Sequence, residues 1–198
     1  MVVPALLALA LMASPGAPGS QAPVKSSPVV VVRGGDWVGS GIVWGTSSRR
    51  VLTALHVVEG MPPDGIQVVT ASGTALAARV VDRDPMLDLA LLEVAAQLDP
   101  SPPVGAASSL APGSAVALIC CPKARCALGD GRVILAARKF AGSSYLSVAA
   151  QAPPGSSGGA VLDASGAVVG IVDLTLAHEP GVALAIPAEL AAGRFPRS

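Results

Sequence analysis

Ser157 sits in the run Pro153-Pro154-Gly155-Ser156-Ser157-Gly158-Gly159. A serine among glycines marks a place where backbone can come close to another molecule. Glycine adopts positive φ and has no Cβ, so neighbouring N–H groups can converge on one point. Such donors hold a developing oxyanion, and the serine in front of them is a nucleophile for acyl transfer. Runs of Gly, Ser and Pro are also ordinary turn vocabulary, so this chemistry needs a base and a carboxylate elsewhere. His56 lies where the apolar run Val51-Leu52-Thr53-Ala54 passes into the turn Leu55-His56-Val57-Val58. Asp88 opens the apolar run Leu89-Ala90-Leu91-Leu92. A carboxylate there is partly buried, which is costly without a partner. It therefore either caps the strand or accepts a hydrogen bond from a functional group. Asp82 and Asp84 read as turn acids.

These three residues need rigid elements beneath them, and the chain offers short strands. Candidate strands are Val29–Arg33, Trp37–Trp44, Val51–Ala54, Ile66–Ala71, Leu76–Asp82 and Leu87–Val94. A second set is Ala115–Cys121, Arg132–Ala137, Tyr145–Ala150, Ala160–Leu162, Val168–Asp173 and Val182–Ile186. Many short β-branched runs bounded by turn residues predict an all-β sandwich or barrel. No helical run of 10–15 residues alternates with them, which argues against a parallel α/β sheet. Helical turns are expected at Leu55–Glu59 and Ala188–Ala192. The Ala/Pro/Ser-rich stretch 96–112 reads as a linker between a first unit, 29–95, and a second, 113–187, with a closing turn over 188–198. Chain order then discriminates: serine hydrolases of unrelated folds reach one geometry in different orders. His–Asp–Ser in an all-β chain is the chymotrypsin-type order.

Composition narrows the function classes. The 198 residues are 52% hydrophobic but only 3% aromatic, so Val, Leu, Ile and Ala must build the core. Thirteen basic and thirteen acidic residues cancel. No basic face for nucleic acid is expected. The apolar run Pro4 to Ala13, followed by small residues to Ser20, reads as a secretory signal over 1–20, although no Lys or Arg precedes it. The run falls short of the ~20 residues of a membrane-spanning helix. Residues 21–28 are then a flexible mature N-terminus, and the location is extracytoplasmic, periplasmic or secreted. Cys120, Cys121 and Cys126 share one seven-residue segment. Export permits a disulfide, and Cys126 can pair with either neighbour, leaving one thiol over. A zinc site, the other reading, would need a fourth ligand from a chain with two histidines.

Five stretches, in order, resemble the trypsin-like serine proteases, and within them the HtrA/DegP-like exported bacterial branch. They are Gly39-Ser40-Gly41-Ile42-Val43, Leu52-Thr53-Ala54-Leu55-His56-Val57-Val58, Asp88-Leu89-Ala90-Leu91-Leu92, Pro154-Gly155-Ser156-Ser157-Gly158-Gly159 and Gly181-Val182-Ala183-Leu184-Ala185-Ile186-Pro187. The resemblance covers roughly Gly39 to Pro187. It implies two six-stranded antiparallel barrels with the active site between them and a serine endopeptidase acting on polypeptides. By resemblance His56, Asp88 and Ser157 form the triad. Backbone N–H groups of Gly155 and Ser157 form the oxyanion hole. Gln151 lies near the floor of the primary pocket, with Thr175 and Gly181 near its walls. Asp173, also assigned to the substrate pocket, stands beside the triad where relatives have a small residue and could be a second charge near His56. No carboxylate lies at the pocket ends, so a small or medium uncharged side chain is expected there. No cofactor and no metal are expected, and the chain is expected to act as a monomer.

Departures from the family pattern carry further expectations. Ser156 stands where digestive-type members have the aspartate that pairs with a new N-terminus, so no zymogen salt bridge is expected. Leu55 replaces a smaller residue beside the base and could crowd the triad. Only eleven residues follow Pro187, too few for a PDZ domain. His178 and Glu179 read as surface residues of the next loop. Two rival readings remain. Gly155 to Gly159 also fits the nucleophile elbow of an α/β-hydrolase, with Asp173 and His178 following, but that fold needs a helix after the serine. The other rival is an inactive protease-like binding module.

Overall fold

Strands that are apolar on both sides need two buried surfaces, and the architecture supplies them. The computed structural model describes residues 27–198. The expected signal, 1–20, and most of the segment 21–28 lie outside the described residues. Six strands, β1 (Val29–Gly34), β2 (Trp37–Trp44), β3 (Arg50–Ala54), β4 (Gln67–Val69), β5 (Ala75–Asp84) and β6 (Leu89–Val94), close in the order β1-β2-β3-β6-β5-β4. Six more are β7 (Ala115–Cys120), β8 (Ala127–Phe140), β9 (Ser143–Ala149), β10 (Ala160–Leu162), β11 (Val168–Thr175) and β12 (Val182–Pro187). They close in the order β10-β11-β12-β9-β8-β7. Both barrels are antiparallel, and the second repeats the order of the first with every number raised by six. This is the all-β pair of six-stranded barrels that the sequence predicts.

Side-chain alternation divides the core into three parts. Val30, Val32, Val51, Ala90 and Leu92 fill the first barrel. Val116, Leu118, Val148, Val161 and Val169 fill the second. Residues of the opposite parity, Val29, Val31, Leu52, Leu89 and Leu91, meet Ile119, Ala160, Ile171 and Ile186 between the barrels. Helix α2 (Ala188–Arg194) returns to this seam with Phe195, whose carbonyl accepts the buried Trp44 indole N–H at 2.8 Å. The segment expected as a linker is tied down as well: Leu98 N–H bonds Ser48 and Ser101 Oγ donates to Val43. Among the described residues no helix is long and apolar enough to cross a membrane.

Several element boundaries differ from expectation. β8 runs over Ala127–Phe140 rather than starting at Arg132. Gly129-Asp130-Gly131 reads as a turn, but it is strand, and a Cβ on Gly131 would come 2.9 Å from Val148. Close packing against β9 explains that glycine. β4 is shorter than expected, and β6 begins at Leu89 because Asp88 takes φ +52°. Asp tolerates the left-handed region better than most residues.

Candidate active site

Strand register brings the acid–base residues together. Ala54 pairs with Leu89 across β3 and β6, so the residues just after the first and just before the second meet at one barrel end. His56 is the second residue of the short helix α1 (Leu55–Glu59). Leu55 N–H bonds the Asp88 carbonyl at 2.8 Å. Asp88 then grips His56 twice, accepting from its backbone N–H at 3.0 Å and holding Nδ1 at 2.5 Å. The turn presenting Asp88 is itself fixed, since Asp84 accepts the N–H groups of Met86 and Leu87. Arg194 of α2 reaches back to Asp82 and Asp84. The hydrogen bond to Asp88 raises the His56 pKa above its ordinary value, with burial opposing and the charges of Asp88, Asp173 and Glu59 adding. Burial pushes the Asp88 carboxyl up, but its hydrogen bond to His56, the neighbouring Asp173 carboxyl and the His56 charge prevail and hold it below the ordinary range.

Ser157, the candidate nucleophile, lies in an irregular loop of the second barrel. Ser156 N–H bonds Pro153, Gly158 N–H bonds Val172, and Gly159 N–H bonds Ser156. The N–H groups of Gly155 and Ser157 have no acceptor among the described residues and stay free around the serine. Ser157 Oγ donates to the Asp173 carbonyl at 2.9 Å. Gly158 has φ +83°, and a Cβ there would fall 2.0 Å from the Ser40 carbonyl oxygen, so only glycine fits. Ser40, in β2, ties the loop to the first barrel. Its N–H bonds the Ser157 carbonyl, and its hydroxyl donates to Gly155 while accepting Cys121 N–H, each at 2.8 Å. Sequence reasoning placed Ser40 in a motif but gave it no task; the hydroxyl between two glycines was the signal. Cys121 pairs with Cys126 and leaves Cys120 as a buried thiol. Burial pushes that thiol up to about 11. The bridged turn backs the loop, since a Cβ on Gly155 would meet Pro122 Cα at 3.2 Å.

Beside Ser157 lies a cavity of about 120 Å³, walled by Ala152, Pro153, Val172, Leu174 and Thr175, with Asp173 in its lining. Gln151 lines instead a cleft of about 270 Å³ with Leu118, Cys120 and Pro122. Gly181 is its neighbour, a Cβ there falling 3.5 Å from Gln151 Nε2. Leu55 packs into the first-barrel core. His178 is exposed and lies 3.4 Å from Glu179, which Arg138 clamps. Strand β10 follows the serine, so the helix required by a nucleophile elbow is absent there. His56, Asp88 and Asp173 offer three donor atoms within 4.8 Å of one another. A zinc ion with ligands at about 2.0–2.2 Å would hold them roughly 3 Å or more apart, whereas His56 Nδ1 and Asp88 lie at hydrogen-bond distance.

A family model described as a trypsin-like peptidase domain matches residues 39–171. The serine protease Do-like HtrA of Lactobacillus helveticus is 31% identical over 166 residues, covering 75% of this chain and 40% of that protein. The putative serine protease HhoB of Synechocystis is also 31% identical, and 38% of it is covered. The chain thus spans about 40% of the length of the curated relatives it matches. Among solved structures, an HtrA-type protease AlgW with tripeptide superposes with a TM-score of 0.76. It is 26% identical over 85% of this chain and 59% of that one.

Proposed function

We propose a proteolytic function from one premise: the chain belongs to the trypsin-like peptidase domain family. In this reading the protein is a serine endopeptidase working through an acyl-enzyme. Ser157 Oγ turns from the Asp173 carbonyl toward His56 Nε2, gives up its proton and attacks a peptide carbonyl carbon. His56 returns that proton to the leaving amine, and water, activated by the same base, releases the acyl group. Asp88 fixes the tautomer by accepting from Nδ1 and stabilises the imidazolium. The free N–H groups of Gly155 and Ser157 receive the oxyanion, each such donor contributing about 2.7–4 kcal/mol to the transition state.

The observation that carries this reading is the double hold of Asp88 on His56, which leaves Nε2 as the basic nitrogen. The hydroxyl's present bond to Asp173 is no obstacle, because catalytic hydrogen bonds often tighten only when substrate arrives. A polypeptide substrate fits, and the peptide named with AlgW is consistent with that class. The cavity beside Ser157 measures only about 120 Å³, and its lining mixes Ala152, Pro153, Val172 and Leu174 with Thr175 and Asp173; its size favours a side chain of small or medium size, which we take to be uncharged. All proposed catalytic groups come from one chain, so the proposed chemistry needs no residue from a second subunit, and action as a monomer is part of the proposal. The apolar N-terminal run and the Cys121–Cys126 bridge support an extracytoplasmic site of action. The test is digestion of an unfolded polypeptide and a peptide library by the purified protein. Cleavage after small or medium uncharged residues, lost in Ser157→Ala, is expected. Folded wild-type protein that cleaves no peptide would overturn the reading and favour a binding module.

A further inference from the structure

Asp173 is the only buried carboxyl among the described residues, with 2% exposure. A bulge puts it there: the β11–β12 register passes from Val172↔Ala185 to Leu174↔Leu184 and skips Asp173. Bulges re-aim a side chain, often beside an active site. Its Oδ1 lies 3.7 Å from His56 Nδ1 and has no hydrogen-bond partner among the described residues. Oxygen atoms of the Asp88 and Asp173 carboxyl groups lie within 4.8 Å of each other and of a His56 ring nitrogen, and Tyr145 of β9 acts on Asp173. Two carboxyl groups in one partly buried site do not both ionise in the ordinary carboxylate range. A single proton between them removes the conflict. Asp88 is bonded to His56 and is the more exposed of the two, so it keeps the charge.

We propose that Asp173 is a positioning residue of the triad: as a neutral carboxylic acid it donates to Asp88 and holds that carboxylate against His56 from the buried side. This inference rests on the proteolytic reading. Burial first, and then the Asp88 carboxylate, push Asp173 up to about 7, while Tyr145 and His56 act the other way. Glu59 acts on His56 from α1. Near neutral pH, ionisation of Asp173 therefore places a second negative charge beside His56. The acid limb of kcat/KM then arises from two coupled ionisations rather than one.

Asp173→Asn keeps a donor for Asp88 and removes the ionisation. It is expected to hold kcat within about threefold, while the acid limb becomes a single ionisation at lower pH, because His56 loses a neighbouring negative charge. Asp173→Ala removes the donor, and kcat is expected to fall about 10- to 100-fold with KM little changed. Tyr145→Phe removes a group that favours the charged form of Asp173 and should move the limb in the same direction as Asp173→Asn. NMR titration of the His56 ring in wild type and Asp173→Asn gives the same comparison without turnover. An unchanged His56 titration in the Asn variant overturns the inference, even if the enzyme cleaves peptides. A selective KM change for Lys or Arg substrates, with the pH limb unmoved, also overturns it and makes Asp173 a pocket wall. A shifted titration in a protein that cleaves nothing leaves the positioning role standing and removes the proteolytic reading.

Discussion

In the first barrel the groups proposed for proton transfer are held by side chains that carry charge. Asp88 grips His56, Asp84 fixes the turn before Asp88, and Arg194 spans Asp82 and Asp84 from the far end of the chain. In the second barrel the nucleophile loop is held by neutral and covalent means. Ser40 bonds it through backbone and hydroxyl, Gly158 admits the Ser40 carbonyl, and a disulfide-closed turn packs behind Gly155. The contrast separates two sensitivities. The acid–base half should answer to pH and charge, and the nucleophile half to backbone shape and redox state.

The largest effect should come from the charged half. Asp88→Asn keeps the shape but reverses the imidazole tautomer, and kcat is expected to drop about 10⁴-fold. A smaller drop in steady-state assays would mean that Asp173 substitutes for Asp88. In the other half, replacing both Cys121 and Cys126 by Ala should cost about 2 kcal/mol for so short a loop. Activity should fall while the pH profile keeps its shape; a displaced acid limb would break the contrast. Denaturant melts and pH–rate curves read both quantities.

Stability against pH sharpens the comparison. Burial above all raises the Asp173 carboxyl from the ordinary carboxylate range to about 7. The folded chain thus holds this proton more tightly than the unfolded chain. That contribution is complete below the unfolded value and is lost as pH rises through about 7. Asp173→Asn should therefore gain in Tm over wild type as pH goes from about 4 to 7. The triad pair behaves differently. His56, raised, contributes fully below about 6.5 and loses the contribution as pH rises through its folded value. Asp88, lowered, contributes above the ordinary carboxylate range and loses it as pH falls. The smallest effect belongs to Arg194→Ala. Its pairs are near the surface, so only a small loss of stability that shrinks in high salt is expected.

Much of the site was legible in the sequence because its residues sit at strand ends. Apolar runs announced β3 and β6, and antiparallel pairing of Ala54 with Leu89 then carries His56 to Asp88. The all-β class was legible because short β-branched runs end in turn residues, whereas the pair of six-stranded barrels was implied by the family resemblance. What stayed hidden depends on long-range register. Gly131 serves packing in β8, though its sequence reads as a turn. Ser40 meets Gly155 across 115 residues, and no local pattern encodes that bond. Three clustered cysteines leave the pairing open until the fold puts Cys120 inside and joins Cys121 to Cys126. Asp173 reads as a pocket residue beside the triad; only the bulge shows that its carboxyl turns inward to lie 3.7 Å from His56 Nδ1.

The central claim is that Ser157 is a nucleophile activated by His56. Labelling the purified protein with a fluorophosphonate probe, followed by mass mapping of the modified peptide, tests it most directly. The account predicts one label per chain, on Ser157, that disappears in Ser157→Ala and in His56→Ala. Folded wild-type protein that takes no label, or label that persists in His56→Ala, would contradict it.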